Sequence, residues 1–222
     1  MADPRPVVAY ATTVTKVSER FVLDAVEVLG LSVDRICKES RYACAKVVIV
    51  HEDIGERAAA ELADAGWRVL LRPVPVNVTL IAGDFYREAL PGSGCCGELE
   101  LLKLYAYTLT EYRRVVHVDI DVLLLRPLDG LLDLEASLVY TTDPNMGSKG
   151  DAAPPVQGGF LVVKPDLDVF DQLLAVVYEA GGLGIRLSGD WRPGTGWGGL
   201  GIGWCWGGPT IQGLLPYFYH AV

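Results

Sequence analysis

The stretch Val115-Val116-His117-Val118-Asp119-Ile120-Asp121-Val122-Leu123 decides the fold reading, because it is an apolar strand that carries two carboxylates to its own C-terminal end. Residues two apart in an extended chain point to the same side, so Asp119 and Asp121 are expected to share a face. In open parallel sheets the carboxyl edge is where ligands bind. Paired hard oxygen donors at such an edge suit Mn²⁺ or Mg²⁺, with the other coordination positions left to diphosphate oxygens and water.

Working outward, three strand-like runs precede this one. Val7 to Ala11 is short, apolar and followed by the polar Thr12-Thr13-Val14-Thr15. Lys46 to Val50 and Trp67 to Leu71 are the next two. Between them the spacing predicts helices: one capped by Ser18 and running to about Leu29 with Gly30 just past its end, and one opened by Asp53 and Glu56 and stopped by Gly66. Strand and helix in alternation give a mostly parallel sheet with crossover helices, an α/β fold. A helix is expected from Glu98 to about Tyr112, then strands at Leu138 to Tyr140 and Gly158 to Val163, and a helix from Lys164-Pro165-Asp166 to about Ala180. Residues 142 to 156 read as a loop. From Gly181 to Gly213 there are 13 glycines in 33 residues, which argues against a regular helix or central strand and for a long surface loop. Its tryptophans either stack on a sugar ring or fold back on the body of the domain.

The 222 residues suffice for one α/β domain, and half of them are apolar. A net charge of −9 argues against non-specific nucleic-acid binding, and an acidic protein that handles phosphates needs a metal ion to offset its charge. No signal-like segment opens the chain and no run approaches a bilayer span, so a cytoplasmic location is expected. Five cysteines without a CxxC read as free thiols in a reducing compartment.

The segment Leu102-Lys103-Leu104-Tyr105-Ala106-Tyr107-Thr108-Leu109-Thr110-Glu111-Tyr112-Arg113-Arg114, continued through the strand to Leu123, closely resembles glycosyltransferase family 8, the family of glycogenin and galactinol synthase, whose pattern there is "TKL…W.LT.Y..V…DAD.L.L". Gln157-Gly158-Gly159-Phe160-Leu161-Val162-Val163-Lys164-Pro165 is similar to the family's "NSGV.V..P" strand. Gly207-Gly208-Pro209-Thr210-Ile211-Gln212-Gly213-Leu214-Leu215 is similar to its "GGDQG.LN", and Ala9 to Thr15 to its first strand and uridine loop.

The resemblance implies a single GT-A-type domain over residues 1–222 and transfer of a hexose from a UDP-sugar to a saccharide, polyol or protein hydroxyl, with retention. By residue, it implies Asp119 and Asp121 on Mn²⁺ (or Mg²⁺), with Ile120 between them in the donor site. Lys103 is implied on the donor phosphate or sugar, Thr12, Thr13 and Thr15 around uracil and ribose, Gln157 and Gly158 against the sugar, and Gln212 near the anomeric carbon. On an α-helical wheel Lys103 falls about 40° from Leu99, beside the buried stripe and away from Glu100 and Glu111. The sequence departs from the family at Ile211, where an acid precedes the glutamine, and at Gln157, where the family has Asn. The family's third metal ligand, a His in a later "H..G..KPW" segment, has no counterpart within the 222 residues, so a C-terminally truncated site is expected. His51 and His117 are expected to be structural. Two other readings use the same residues: a nucleotide-sugar-binding module that does no chemistry, and a phosphatase of the haloacid-dehalogenase type with the first Asp of the pair as nucleophile. Three strands before the acidic pair disfavour the phosphatase.

Overall fold

The computed structural model describes residues 4–16, 20–142, 156–178, 191–204 and 207–221. Ser18, Ala180, Cys205, Trp206 and most of the 142–156 loop lie outside them. In chain order the elements are β1 (Val7–Val14), α1 (Arg20–Cys37), β2 (Ala43–His51), α2 (Glu56–Asp64), β3 (Arg68–Arg72), α3 (Asp84–Ala89), β4 (Val115–Val118), α4 (Asp129–Leu132), β5 (Leu138–Thr142), β6 (Val156–Val163), α5 (Leu167–Tyr178), β7 (Trp191–Arg192), β8 (Gly196–Trp197) and α6 (Ile211–Ala221). A 3₁₀ helix, Gly97–Thr108, stands between α3 and β4.

Six strands form one sheet in the order β3-β2-β1-β4-β6-β5. β3, β2, β1 and β4 run parallel, and β6 runs antiparallel to β4. This is the expected mostly parallel α/β architecture. Val47 to Val50 of β2 are all buried, as a strand covered on both faces requires. On β1 the alternation puts Val8, Tyr10 and Val14 on one face, where they pack with Val22, Val26, Leu29, Val33 and Ile36 of α1. Those helix positions recur every three or four residues, which makes one apolar stripe. After β1 the chain goes to β2 and β3 on one side, then returns to place β4 on the other. β1 and β4 therefore flank the topological switch point, and the crevice outside their carboxyl ends is the expected ligand position.

Helix α2 ends as the sequence predicts. Gly66 takes the left-handed conformation at φ 83°, its N–H donates to Ala63 (2.9 Å), and the N–H of Trp67 donates to Leu62 (3.2 Å). That pair of bonds is the Schellman closure.

Four expectations are corrected. Helix α1 does not stop before Gly30 but runs through it to Cys37. A β-carbon at Gly30 would lie 3.0 Å from Trp67 Nε1, so the glycine is there for a close-packed indole and does not end the helix. Cys37 and Cys44 are joined in a disulfide, not free. The last residue of α1 and the second of β2 are brought to a Cα separation of 6.0 Å by the short return between them, a juxtaposition no cysteine motif announces. Where an α-helix was predicted from Glu98 to Tyr112, the chain winds as a 3₁₀ helix over Gly97–Thr108. Finally, the glycine-rich region is not simply a surface loop. Trp191 and Trp197 lie on the hairpin β7–β8 and are 7 % and 0 % exposed, and α6 starts at Ile211.

Contacts gather the chain into two compact units, one of Met1–Pro73, Tyr105–Tyr140 and Gly159–Leu167, the other of Val74–Leu104, Thr141–Gly158 and Asp168–Val222. No helix among the described residues is long and apolar enough to cross a membrane.

Candidate functional site

In the first unit, the residues at the switch point are those that end β1 and β4. The strand β4 stops at Val118, and the Val122 N–H donates back to the Asp119 carbonyl at 3.2 Å. Asp119 to Val122 is thus a β-turn, which corrects the extended geometry predicted for the two acids. The Asp119 N–H is held by the Gly159 carbonyl at 3.1 Å. Ile120 packs against the hydrophobic core and anchors the turn from below. Asp119 is half-buried and Asp121 is exposed. The turn thus fixes the backbone and gives Asp121 access to solvent.

The three threonines separate. Thr12 has the same parity as Val8, Tyr10 and Val14, is fully buried, and its hydroxyl has no hydrogen-bond partner among the described residues. Thr13 faces the other way, and its hydroxyl is 2.8 Å from Nε2 of His117. The register that places His117 opposite Ala11 explains the contact, since Thr13 is the next residue on that face. Thr15 is half-buried beyond the strand end. His117 is fully buried within β4. His51 accepts from the Asp53 N–H through Nδ1 at 3.4 Å, capping the short 3₁₀ turn that precedes α2.

The second unit brings together three residues from distant parts of the sequence. Lys103 is 8 % exposed, its ammonium donates to the Gly158 carbonyl at 3.2 Å, and it pairs with Glu100 Oε2 at 3.0 Å. In a 3₁₀ helix residues three apart eclipse, and the pair forms along that row. Burial alone would push the Glu100 carboxyl up. The Lys103 ammonium and the hydrogen bonds from Cys95 and Lys103 outweigh burial and hold it below the ordinary glutamate value.

Gly158 also abuts the start of α6. A β-carbon there would meet Ile211 Cδ1 at 3.2 Å and Gln212 Cγ at 3.6 Å. Gln212 is half-buried, and its amide occupies the space in front of Gly207: a β-carbon at 207 would fall 1.5 Å from Oε1. Gly203 and Gly213 touch backbone to backbone, a β-carbon at 203 lying 2.5 Å from the Gly213 Cα. Several of the glycines that suggested a loop are therefore contact points that seat α6 and Gln212. Trp197 Nε1 donates to the Gly208 carbonyl at 2.7 Å and fixes the same backbone. Gln157 precedes Gly158 on β6 and is half-buried.

Glu100 and His117 were not identified as partners from the sequence. The only signal for Glu100 was its spacing of three from Lys103. His117 became the partner of Thr13 through strand register, which no local pattern encodes.

No family model matches the sequence. A structure of an active-site mutant of LgtC superposes with a TM-score of 0.50 at 15 % identity, covering 71 % of this chain and 57 % of that one. The chain thus has the GT-A glycosyltransferase fold. Among curated proteins, glycogenin of Komagataella phaffii is 31 % identical over 85 residues, which are 37 % of this chain and 20 % of that protein. A protein of Arabidopsis thaliana, provisionally named UDP-glucuronate:xylan alpha-glucuronosyltransferase 3, is 26 % identical over 133 residues, 60 % of this chain and 18 % of that protein. In sequence the chain is thus similar, over part of its length, to glycosyltransferases of family 8 such as glycogenin. It spans about a fifth of the length of these curated relatives.

Proposed function

We propose that the chain transfers a hexose from a UDP-sugar to a hydroxyl acceptor, with retention and with a divalent metal bound by Asp119 and Asp121. The observation that carries the reading is the convergence of Lys103, Gly158 and Gln212. These are three residues to which the family resemblance gives donor-binding roles, and they lie 54 or more positions apart in sequence. Gly158 is the common point: its carbonyl accepts from Lys103, and its α-carbon faces the Gln212 side-chain stem.

The acidic turn fits the metal. Its donors are hard carboxylate oxygens, its backbone is tied at both ends, and Asp121 is exposed. Two carboxylates leave most of an octahedral shell to phosphate oxygens and water, the pattern of Mn²⁺ or Mg²⁺ with a nucleoside diphosphate. When bound, the ion supplies charge neutralisation for the leaving diphosphate. Lys103 contributes a fixed positive charge whose position is set before substrate arrives by Glu100 and Gly158, which is how electrostatic stabilisation avoids a reorganisation cost. Gln212, wedged against Gly207, presents an amide with restricted freedom. Thr13 is oriented by His117 and presents its hydroxyl at the end of β1. The acceptor is a saccharide, a polyol or a protein.

A second reading has one observation in its favour. Ile211 stands where the family has an acid, and it is fully buried against Gly158. A chain that binds the donor but does not transfer it is consistent with that apolar contact. Turnover separates the two. The proposal expects UDP release from UDP-glucose, UDP-galactose or UDP-glucuronate with Mn²⁺, abolished in Asp121→Ala. UDP binding without release from any donor supports the binding reading.

A further inference from the structure

Among the described residues, one group of side chains, which shares Glu100 with the lysine cluster, has the chemistry of a metal site. Gly94-Cys95-Cys96-Gly97 is a tight turn whose two glycines are both left-handed, at φ 61° and 57°. The Gly97 N–H closes it on the Ser93 carbonyl at 2.9 Å, and a β-carbon at Gly97 would lie 2.4 Å from the Pro91 carbonyl oxygen. Side chains of adjacent residues normally diverge. This turn brings the two thiols to a hydrogen-bonded sulfur separation of 3.0 Å, with no disulfide between them. Cys95 Sγ also lies 2.9 Å from Glu100 Oε1, and the three ligand atoms are all within 4.8 Å of one another.

The two oxygens of Glu100 have different neighbours. Oε1 faces the thiols, while Oε2 is held by the Lys103 ammonium, which is in turn held by Gly158. The carboxylate is therefore locked in orientation from behind while one oxygen stays directed at the sulfurs. A ligand fixed by an outer partner in this way is the usual construction of a metal site.

We propose that Cys95, Cys96 and Glu100 bind a thiophilic divalent cation, with Zn²⁺ as the ion whose donors they match. Zn²⁺ takes thiolate sulfur at about 2.3 Å and carboxylate oxygen at about 2.0–2.2 Å, so the edges of its tetrahedron are about 3.6–3.8 Å. The sulfurs need to open by less than about 1 Å to reach that spacing. Two thiolates and one carboxylate carry three negative charges, and the ion together with Lys103 balances them. Cys95 is exposed and Cys96 half-buried, which leaves an entry path and a fourth position for water. Two sulfurs disfavour Mn²⁺ and Mg²⁺, so this site and the Asp119–Asp121 turn select different ions.

The test uses the whole chain with Cys37–Cys44 oxidised and no thiol reductant present. Zn²⁺ is titrated by calorimetry, and Cys95 and Cys96 are mapped for alkylation with and without the ion. One equivalent of Zn²⁺ should bind and protect both cysteines. Glu100→Gln and Cys96→Ser should each weaken binding by about 10–100-fold or more. Cys205→Ser should leave it unchanged. Unprotected cysteines at saturating Zn²⁺, or an affinity unchanged in Glu100→Gln, overturns the proposal. The alkylation readout needs no variant, so the result stands even where a substitution unfolds the chain.

Discussion

The acidic turn of the first unit and the lysine cluster of the second unit are built on opposite principles. Asp119 and Asp121 owe their place to backbone hydrogen bonds and to the half-buried Ile120, while the Asp121 side chain is exposed. Lys103, Gly158 and Gln212 are held by the side chains and by glycines that leave no room for a β-carbon. The first arrangement can lose the exposed Asp121 carboxylate without leaving a buried charge behind. The second cannot lose its lysine without leaving Glu100 as a buried charge. The proposed donor-site role and stability are thus separable in one region and fused in the other, and substitutions can measure the difference.

The largest effect is expected at Lys103. Lys103→Ala strands Glu100, whose side chain is only 12 % exposed, and breaking such a buried pair costs about 3–5 kcal/mol. Urea unfolding should show the loss, and Lys103→Met combined with Glu100→Gln should recover most of it. A Lys103→Ala chain as stable as the parent would break the contrast between the two regions.

Removing the disulfide should come next. By the loop-entropy relation, a closed loop as short as that between Cys37 and Cys44 contributes about 2–3 kcal/mol, so Cys37→Ala with Cys44→Ala should lower the unfolding free energy measured by urea titration by that amount. Thiol quantitation on native chain should find this pair absent from the reactive pool. Such a bond persists in oxidising compartments.

Acid sharpens the contrast further. The folded Glu100 carboxyl titrates below its ordinary value of 4.5. Its contribution is therefore complete above that pH and is lost as pH falls through the lowered value. Glu100→Gln should flatten that part of the stability profile between about pH 5 and about pH 3, and an unchanged slope would remove Glu100 from the account. At the small end, Asp121→Ala should change stability by no more than about 0.5 kcal/mol, as expected for an exposed side chain.

Much of the first unit was legible from the sequence because its information is local. The strand Val115–Val118, the run Val47 to Val50 and the Schellman stop at Gly66 are each specified by their own residues. Gly30 misled because its partner, Trp67, is far away in sequence and fills the space a side chain would take. The Lys103–Glu100 pair has only its spacing of three to announce it, a spacing that solvated helix residues share, and the burial that makes it count is set by tertiary packing. Cys37 and Cys44 meet only because of where α1 ends and β2 begins. In the second unit Gly203, Gly207 and Gly213 look like loop residues, yet they mark backbone contact, which depends entirely on tertiary packing. The turn at Asp119–Val122 was not legible, since a carbonyl accepting from three residues on is invisible in composition.

The central claim is tested most directly by UDP binding with and without Mn²⁺. Calorimetry on the parent chain should show markedly tighter UDP binding when Mn²⁺ is present, and Asp121→Ala should abolish that difference while the chain stays folded. Equal UDP affinity with and without Mn²⁺ in the parent, or an Mn²⁺ effect that survives in Asp121→Ala, would contradict the assignment of the Asp119–Asp121 turn as the metal-dependent donor site.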